Sequence, residues 1–260
     1  MALAELAAGL AIGLAGGVTS GLFGVSPGGA LVVLSVLALG AEQHVAQGIS
    51  LVAQVPPTGL GGARRYWLHG ERSPRKWLAL LAVGYLVGGV LGAMAATRVS
   101  EGALRWAYAA YLIGLDALLI VRTGRDARSA AELAPAREPH SLSLLAVGLV
   151  AGVSSGFLGI GGGLATTVGL TAALGVPQHQ AQMISLALSL IPATAPSAWI
   201  YWRRGWMASA LVLIAVIVGL QVGADLGARA ATRLSGRTLR KALIAIVTAM
   251  AIYMFCKALA

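Results

Sequence analysis

A chain of 260 residues that is 58% apolar, holds 35 glycines and is only 11% charged cannot surround one core with a wetted surface, so a soluble globular domain is excluded and lipid is the solvent for most of it. A lone cysteine, Cys256, excludes an internal disulfide framework and a thiolate metal cluster. The formal charge of +10 comes without the aromatic and basic pattern of a nucleic-acid groove, and its distribution follows membrane sidedness instead.

Apolar runs of about 18 residues, enough to cross a bilayer, recur at 3–23, 77–97, 107–121, 142–158 and 207–228. Lipid forbids unpaired backbone, so these runs predict helices. The first 22 residues are apolar like a secretory signal but lack a basic start, and their second part recurs in mid-chain, so they are read as mature structure. After this first helix comes a glycine-rich break, GLFGVSPGG from Gly21, and a short helix to about Gly40. Three longer segments follow, at about 43–68, 76–98 and 102–122. A polar stretch at 123–141, with Arg125, Asp126, Arg128, Glu132, Pro135, Arg137, Glu138 and Pro139, reads as a linker.

The second half repeats this plan. Shifted by 135 residues, positions 10–70 match 145–205 at 27 of 61 places without a gap, and 83–107 match 218–242 at 15 of 25. Such agreement is a duplication. The second break is GFLGIGGG from Gly156, with a short helix to about Gly175. Residues 1–122 are therefore one membrane repeat, 123–141 a linker and 142–260 a second repeat, an all-α polytopic membrane fold of about five helical segments per half.

Basic residues orient the halves, because cytoplasmic loops accumulate Lys and Arg. Arg64, Arg65, Arg72, Arg75 and Lys76 crowd the loop after the third segment of the first half, against Arg98 and Arg105 in the next. The second half reverses this: Arg203 and Arg204 at the first loop, Arg229, Arg233, Arg237, Arg240 and Lys241 at the second. The halves are expected to face opposite ways, with the linker cytoplasmic, both termini outside and 14 of the 19 basic residues inside. Tyr66 with Trp67 and their mates Tyr201 with Trp202 are expected as interfacial anchors.

Inverted repeats with interrupted helices are a transporter plan in which substrate sits near the midplane, at the ends of half-helices. Ser26 and Pro27 read as the N-cap and first residue of a helix that would aim the amides of Gly28, Gly29 and Ala30 into the break, and Gly161, Gly162 and Gly163 supply the second opening. Amides and helix dipole favour an anion there. A second signal is a polar stripe, Gln43, Gln47, Ser50 and Gln54 at i, i+4, i+7 and i+11, repeated by Gln178, Gln182, Ser185 and Ser189. Polar groups in lipid are costly, so each stripe must face protein, water or substrate. Pro57 and Pro192 follow and would unwind these helices locally. The plain alternative for glycines and stripes alike is helix-to-helix glue. The stripe residues, above all Gln47, Ser50, Gln182 and Ser185, are expected to hold the anion with the amides; the matched His44 and His179 could hold it when charged or relay a proton, and with the unmatched acids Asp116 and Asp225 are candidates for proton coupling.

The two glycine breaks, the short helices after them and the A-x-x-x-S-L element at Ala46 to Leu51 and Ala181 to Leu186 resemble the TauE/SafE family of sulfite exporters and organosulfonate permeases. The resemblance spans nearly the whole chain. It implies transport of sulfite, sulfonates or related small anions without a nucleotide-hydrolysing subunit. It also implies that Ser50 and Ser185 are the family serine, and that Gly24, Gly28, Gly159, Gly161, Gly162 and Gly163 form its glycine loop, with Ser26 and Pro27 standing where two glycines are usual. Gly152 to Gly156 spells G-x-S-x-G, but inside an apolar helix rather than the strand-turn-helix a hydrolase needs. No enzyme is expected. The expected function is alternating-access transport of a small anion across the inner membrane, with a cation-coupled transporter or channel for a carboxylate or neutral solute as the alternative. The expected partners are that anion, the lipid bilayer and, as a homodimer, a second copy of the chain, with no nucleic acid, metal or cofactor.

Overall fold

The structure is a computed structural model and describes residues 2–57, 74–125, 139–231, 233–234 and 236–259. All regular structure among them is helical: α1 Ala2–Phe23, α2 Gly28–Leu39, α3 Gln43–Ala53, α4 Arg75–Ala96, α5 Glu101–Arg125, α6 Ser141–Leu158, α7 Gly163–Val168, α8 Gln178–Leu188, α9 Ala195–Arg203, α10 Ala210–Ala231 and α11 Gly236–Leu259. Six of these, α1, α4, α5, α6, α10 and α11, are long and apolar enough to cross a membrane. Their outward faces carry the apolar side chains, among them Val83, Val87 and Leu91 on α4 and Ile214, Val218 and Val222 on α10. Gln43, His44, Gln47, Ser50 and Gln54 are buried instead. Apolar outside and polar inside is the distribution lipid requires.

The helix ends follow from local chemistry. α1 stops where Gly24 turns to φ +64°, its N–H donating to Ser20 O at 2.8 Å, and α6 stops identically at Gly159, φ +69°, whose N–H donates to Ser155 O at 2.7 Å. Glycine alone takes that left-handed turn without a Cβ clash. α2 is continuous over twelve residues, whereas its counterpart α7 gives way after Val168 to a π turn at Gly169–Ala173. Thr167 Oγ1 donates back to Gly163 O and Thr171 Oγ1 to Thr167 O, competition with the backbone that loosens a helix.

As expected at Pro192, the chain unwinds there: α8 and α9 are separated at Ser189–Thr194, because Pro192 has no N–H to extend α8 and Pro196 lies in the first turn of α9. In the first half α3 likewise stops at Ala53, ahead of Pro56 and Pro57. Tyr201 is no interfacial anchor: it is fully buried, its hydroxyl donating to Gln47 Oε1 at 2.7 Å, while Trp202 is exposed. Arg64, Arg65, Tyr66, Trp67 and Arg72 lie outside the described residues, as does most of the linker. α5 runs on to Arg125 and α6 begins at Ser141.

The halves are exchanged in their packing. α1 lies along α10, α6 along α4, and α5 pairs with α11. Since α1 matches α6 and α4 matches α10 in the repeat, the first two contacts are equivalents of one another. Both are glycine ladders. A Cβ added at Gly13, Gly17 or Gly21 would stand 2.2 to 2.3 Å from the carbonyl oxygens of Val216, Leu220 or Ala224 on α10. One added at Gly152 or Gly156 would stand 2.2 or 2.1 Å from those of Tyr85 or Gly89 on α4. Small residues every fourth position let helix backbones touch, the main source of cohesion where lipid removes the hydrophobic drive.

Candidate functional site

The two breaks meet at the centre of the bundle. A Cβ on Gly28, the first residue of α2, would lie 2.3 Å from the Ile160 carbonyl carbon, and one on Gly161 would lie 2.0 Å from Ser26 Oγ and 2.2 Å from Gln54 Oε1. Gly161 has φ +72°, so both space and conformation require glycine where the first half has Ser26. Ser26 is not the expected N-cap: α2 starts at Gly28 without a side-chain cap, and Ser26 Oγ donates to Gln54 Oε1 at 2.7 Å. The amide of Gln54 in turn donates to Ser50 O and Ser50 Oγ, each at 3.0 Å. Ser50 Oγ donates to Gly159 O at 2.6 Å, with Gly28 O at 3.3 Å. Its mate Ser185 donates to Gly163 O at 3.0 Å, the repeat equivalent of the longer contact between Ser50 and Gly28 O.

Beside this crossing opens a cleft of about 630 Å³, mouth included. Gly24, Ser26 and Gln54 reach it from the first half, Gly162, Gly163, Thr166, Ser185, Ser189 and Thr194 from the second, and Tyr85 from α4. Among the described residues no Asp, Glu, Lys, Arg or His lines it. Tyr85 sets one wall: its hydroxyl accepts the Gly162 N–H at 2.8 Å and donates to Ser155 Oγ at 2.6 Å. Tyr85→Phe is expected to leave that buried amide unpaired and to cost about 1–3 kcal/mol, read as a lowered melting temperature. An unchanged melting point would mean Gly162 is held otherwise.

The profile of the sulfite exporter TauE/SafE family matches residues 9–254. The chain belongs to the TauE/SafE sulfite exporter family. It is therefore a membrane transporter and not an enzyme. No curated protein matches it. In this TauE/SafE chain the G-x-S-x-G stretch lies inside α6, with Ser154 Oγ bonded to Val150 O.

The remaining candidates of this TauE/SafE transporter sort by place. Gln47 is buried behind the second break, its side chain against Gly159 and its carbonyl holding Tyr201. The carbonyl of Gly29 accepts the Tyr108 hydroxyl at 2.9 Å. Gln182 lies on α8, two turns before Ser189, and the side chain of His179 lies outside the described residues. His44 is buried at the far end of α3, away from the cleft. Asp116 accepts a bond from Thr248 at 2.8 Å between α5 and α11, and Asp225 is exposed in an i,i+4 ion pair with Arg229 at 2.6 Å. Neither acid lines the cleft. The cleft serines donate internally: Ser189 Oγ bonds Leu186 O at 2.7 Å. The hydroxyls of Thr166 and Thr194, buried at 1% and 6% exposure, have no partner among the described residues. No repeat or motif marks these threonines or Tyr85 in the sequence, where their mates are Leu31, Gly59 and Leu220.

Proposed function

We propose that this transporter carries a small oxyanion, sulfite or an organosulfonate, across the inner membrane by alternating access, the anion docking in the cleft beside the crossed breaks. The observation that carries the reading is the pair of buried, unpartnered hydroxyls of Thr166 and Thr194 in a cleft lined by neutral groups. A buried hydroxyl without a partner costs about 1–3 kcal/mol, a cost relieved by an oxyanion that accepts its proton. Neutral donors also hold an anion weakly enough to let it go. A narrow apolar fissure lies beyond Val25 and Ser26, lined by Tyr111, Leu115, Ile246 and Met250 among others. Its apolar walls suit the alkyl group of an organic sulfonate better than bare sulfite.

Alternating access draws support from asymmetry. The repeat mates of Tyr85 and Thr166 are Leu220 and Leu31, both fully buried in one cluster with Ile49 and Ala53, so the counterpart of the cleft is shut. The exchanged helix pairs and the mirrored basic residues support halves of opposite orientation with a cytoplasmic linker.

The test is the melting temperature of detergent-purified protein against sulfite, thiosulfate, short alkyl sulfonates, carboxylates and neutral solutes. A sulfur oxyanion is expected to raise it, a free energy of about 2.7 kcal/mol at a concentration a hundred times its Kd. A response to neutral solutes alone, or to no anion, would overturn the reading in favour of another solute.

A further inference from the structure

His44 and Glu101 carry chemistry that the cleft does not use. His44 stands in the first turn of α3 and Glu101 is the first residue of α5. The carboxylate caps α3, accepting the backbone N–H of Gln43 at 2.7 Å and of His44 at 3.1 Å, where a negative charge at a helix start is favourable. The imidazole is 5% exposed and stacked on Trp206 with ring centroids 4.0 Å apart. Its Nδ1 contacts Glu101 Oε1, and its Nε2 lies 3.0 Å from the carbonyl oxygen of Ala96, the last residue of α4.

A neutral imidazole has one nitrogen that donates and one that accepts. Here both nitrogens face oxygens. The Ala96 carbonyl cannot donate, so Nε2 must carry a hydrogen, and Nδ1 then presents either a second hydrogen or a lone pair to the carboxyl group. A lone pair against a carboxylate ion repels. The arrangement is satisfied when the pair holds one proton beyond a neutral ring and an ionised acid. The repeat mate of Glu101 is Gly236, so the second half has no such carboxylate at its histidine.

The groups that bear on this proton are few. Arg105 follows Glu101 by one turn on α5, Arg98 lies two residues past the end of α4, Glu42 precedes α3, and Tyr201, Arg203 and Arg204 lie on or just after α9. Of these charged groups and Glu101, only Glu101 comes within ion-pair reach of His44 among the described residues.

The pair is mechanically joined to the transport site. α3 also bears Gln47, which packs on Gly159, Ser50, which holds the Gly159 carbonyl, and Gln54, which holds Ser26 at the cleft. Trp206, stacked on the histidine, meets Tyr201 edge-on at 5.7 Å, and Tyr201 bonds both Gln47 and the Gly156 carbonyl. A shift at the start of α3 therefore reaches both breaks.

We propose that His44 and Glu101 form a proton-binding site coupled to anion transport, in which a proton held between Nδ1 and Oε1 keeps α3 docked on the α4–α5 corner and its loss releases that end. The proton comes from and returns to water, no other bond changes, and one proton per monovalent anion would cancel the charge moved. This rests on the cleft being the anion site.

The experiment uses methanesulfonate, whose own charge is constant over the range. Its affinity, read from the concentration giving half the melting shift, is followed between about pH 5 and pH 8, where histidines titrate. Wild type is expected to bind about tenfold more weakly at the alkaline end, while Glu101→Gln and His44→Gln bind with little change across the range. A pH-independent wild type, or variants that keep its slope, overturns the proposal. ¹⁵N spectra of the imidazoles, with His44 assigned by its loss in His44→Gln, test the proton site without any ligand. A His44 signal that moves with pH in wild type and loses that movement in Glu101→Gln supports it, and one that stays constant overturns it. If the ring titrates but methanesulfonate never binds, the cleft reading fails and the proton site stands.

Discussion

Protein carrying Gly17→Val together with Gly152→Val is expected to fail to reach a monodisperse fold. A Cβ at Gly17 would lie 2.3 Å from Leu220 O and 2.7 Å from Ala224 N, and one at Gly152 would lie 2.2 Å from Tyr85 O and 2.8 Å from Gly89 N. Ordinary overpacking costs about 1–3 kcal/mol because side chains can turn aside. Here the obstacles are backbone atoms of a facing helix, so the helices themselves must part and the whole ladder loses contact. Each single variant should lower the melting temperature sharply, and the two together should elute as aggregate on size exclusion. Gly102→Val and Gly114→Val on α5, where an added Cβ meets nothing within 4 Å, serve as controls. A Gly17→Val protein that melts like its control would mean that α1 and α10 are not held by close backbone approach.

The second large effect separates stability from binding. Thr166→Val with Thr194→Val keeps the shape of both side chains and removes two hydroxyls that have no partner among the described residues. Taking away an unsatisfied buried group is neutral or stabilising, so the melting point without ligand should hold or rise. Sulfonate affinity should collapse. Hydrogen bonds to charged groups contribute about 1.5–3 kcal/mol each, roughly ten- to a hundredfold per hydroxyl. Ser185→Ala should do the reverse first, weakening the fold through the lost bond to Gly163 O. Unchanged affinity in the valine pair would remove the threonines from the site.

What could be read in the sequence was whatever the two halves share. The breaks at Gly24 and Gly159, the buried stripe of Gln43, Gln47, Ser50 and Gln54, and the serines that hold the following glycine carbonyls all sit at matched positions, where duplication marks them out. What escaped was the difference between the halves. Thr166, Thr194, Tyr85 and Glu101 face an apolar residue or glycine in the other half, and an open cleft on one side with a packed one on the other is built from such unlike pairs. The prolines mark where the helices unwind but not the last helical residue: α8 ends at Leu188, several residues before Pro192. The burial of Tyr201 was hidden by its neighbour Trp202, because an aromatic pair at a helix end looks like a membrane anchor whichever way each ring turns.

The exchange of helices between the halves bears on where such a chain came from. Among the described residues α1 packs most extensively along α10, and α6 along α4. Remove the linker and those contacts would join two separate polypeptides. In a half-length ancestor each copy would have lent its first helix to the other, as neither ladder closes within one half. Fusion of two such copies would convert an association that depends on concentration into one guaranteed by a tether. Freed from identity, the copies could diverge residue by residue into the unlike walls that now face each other across the cleft.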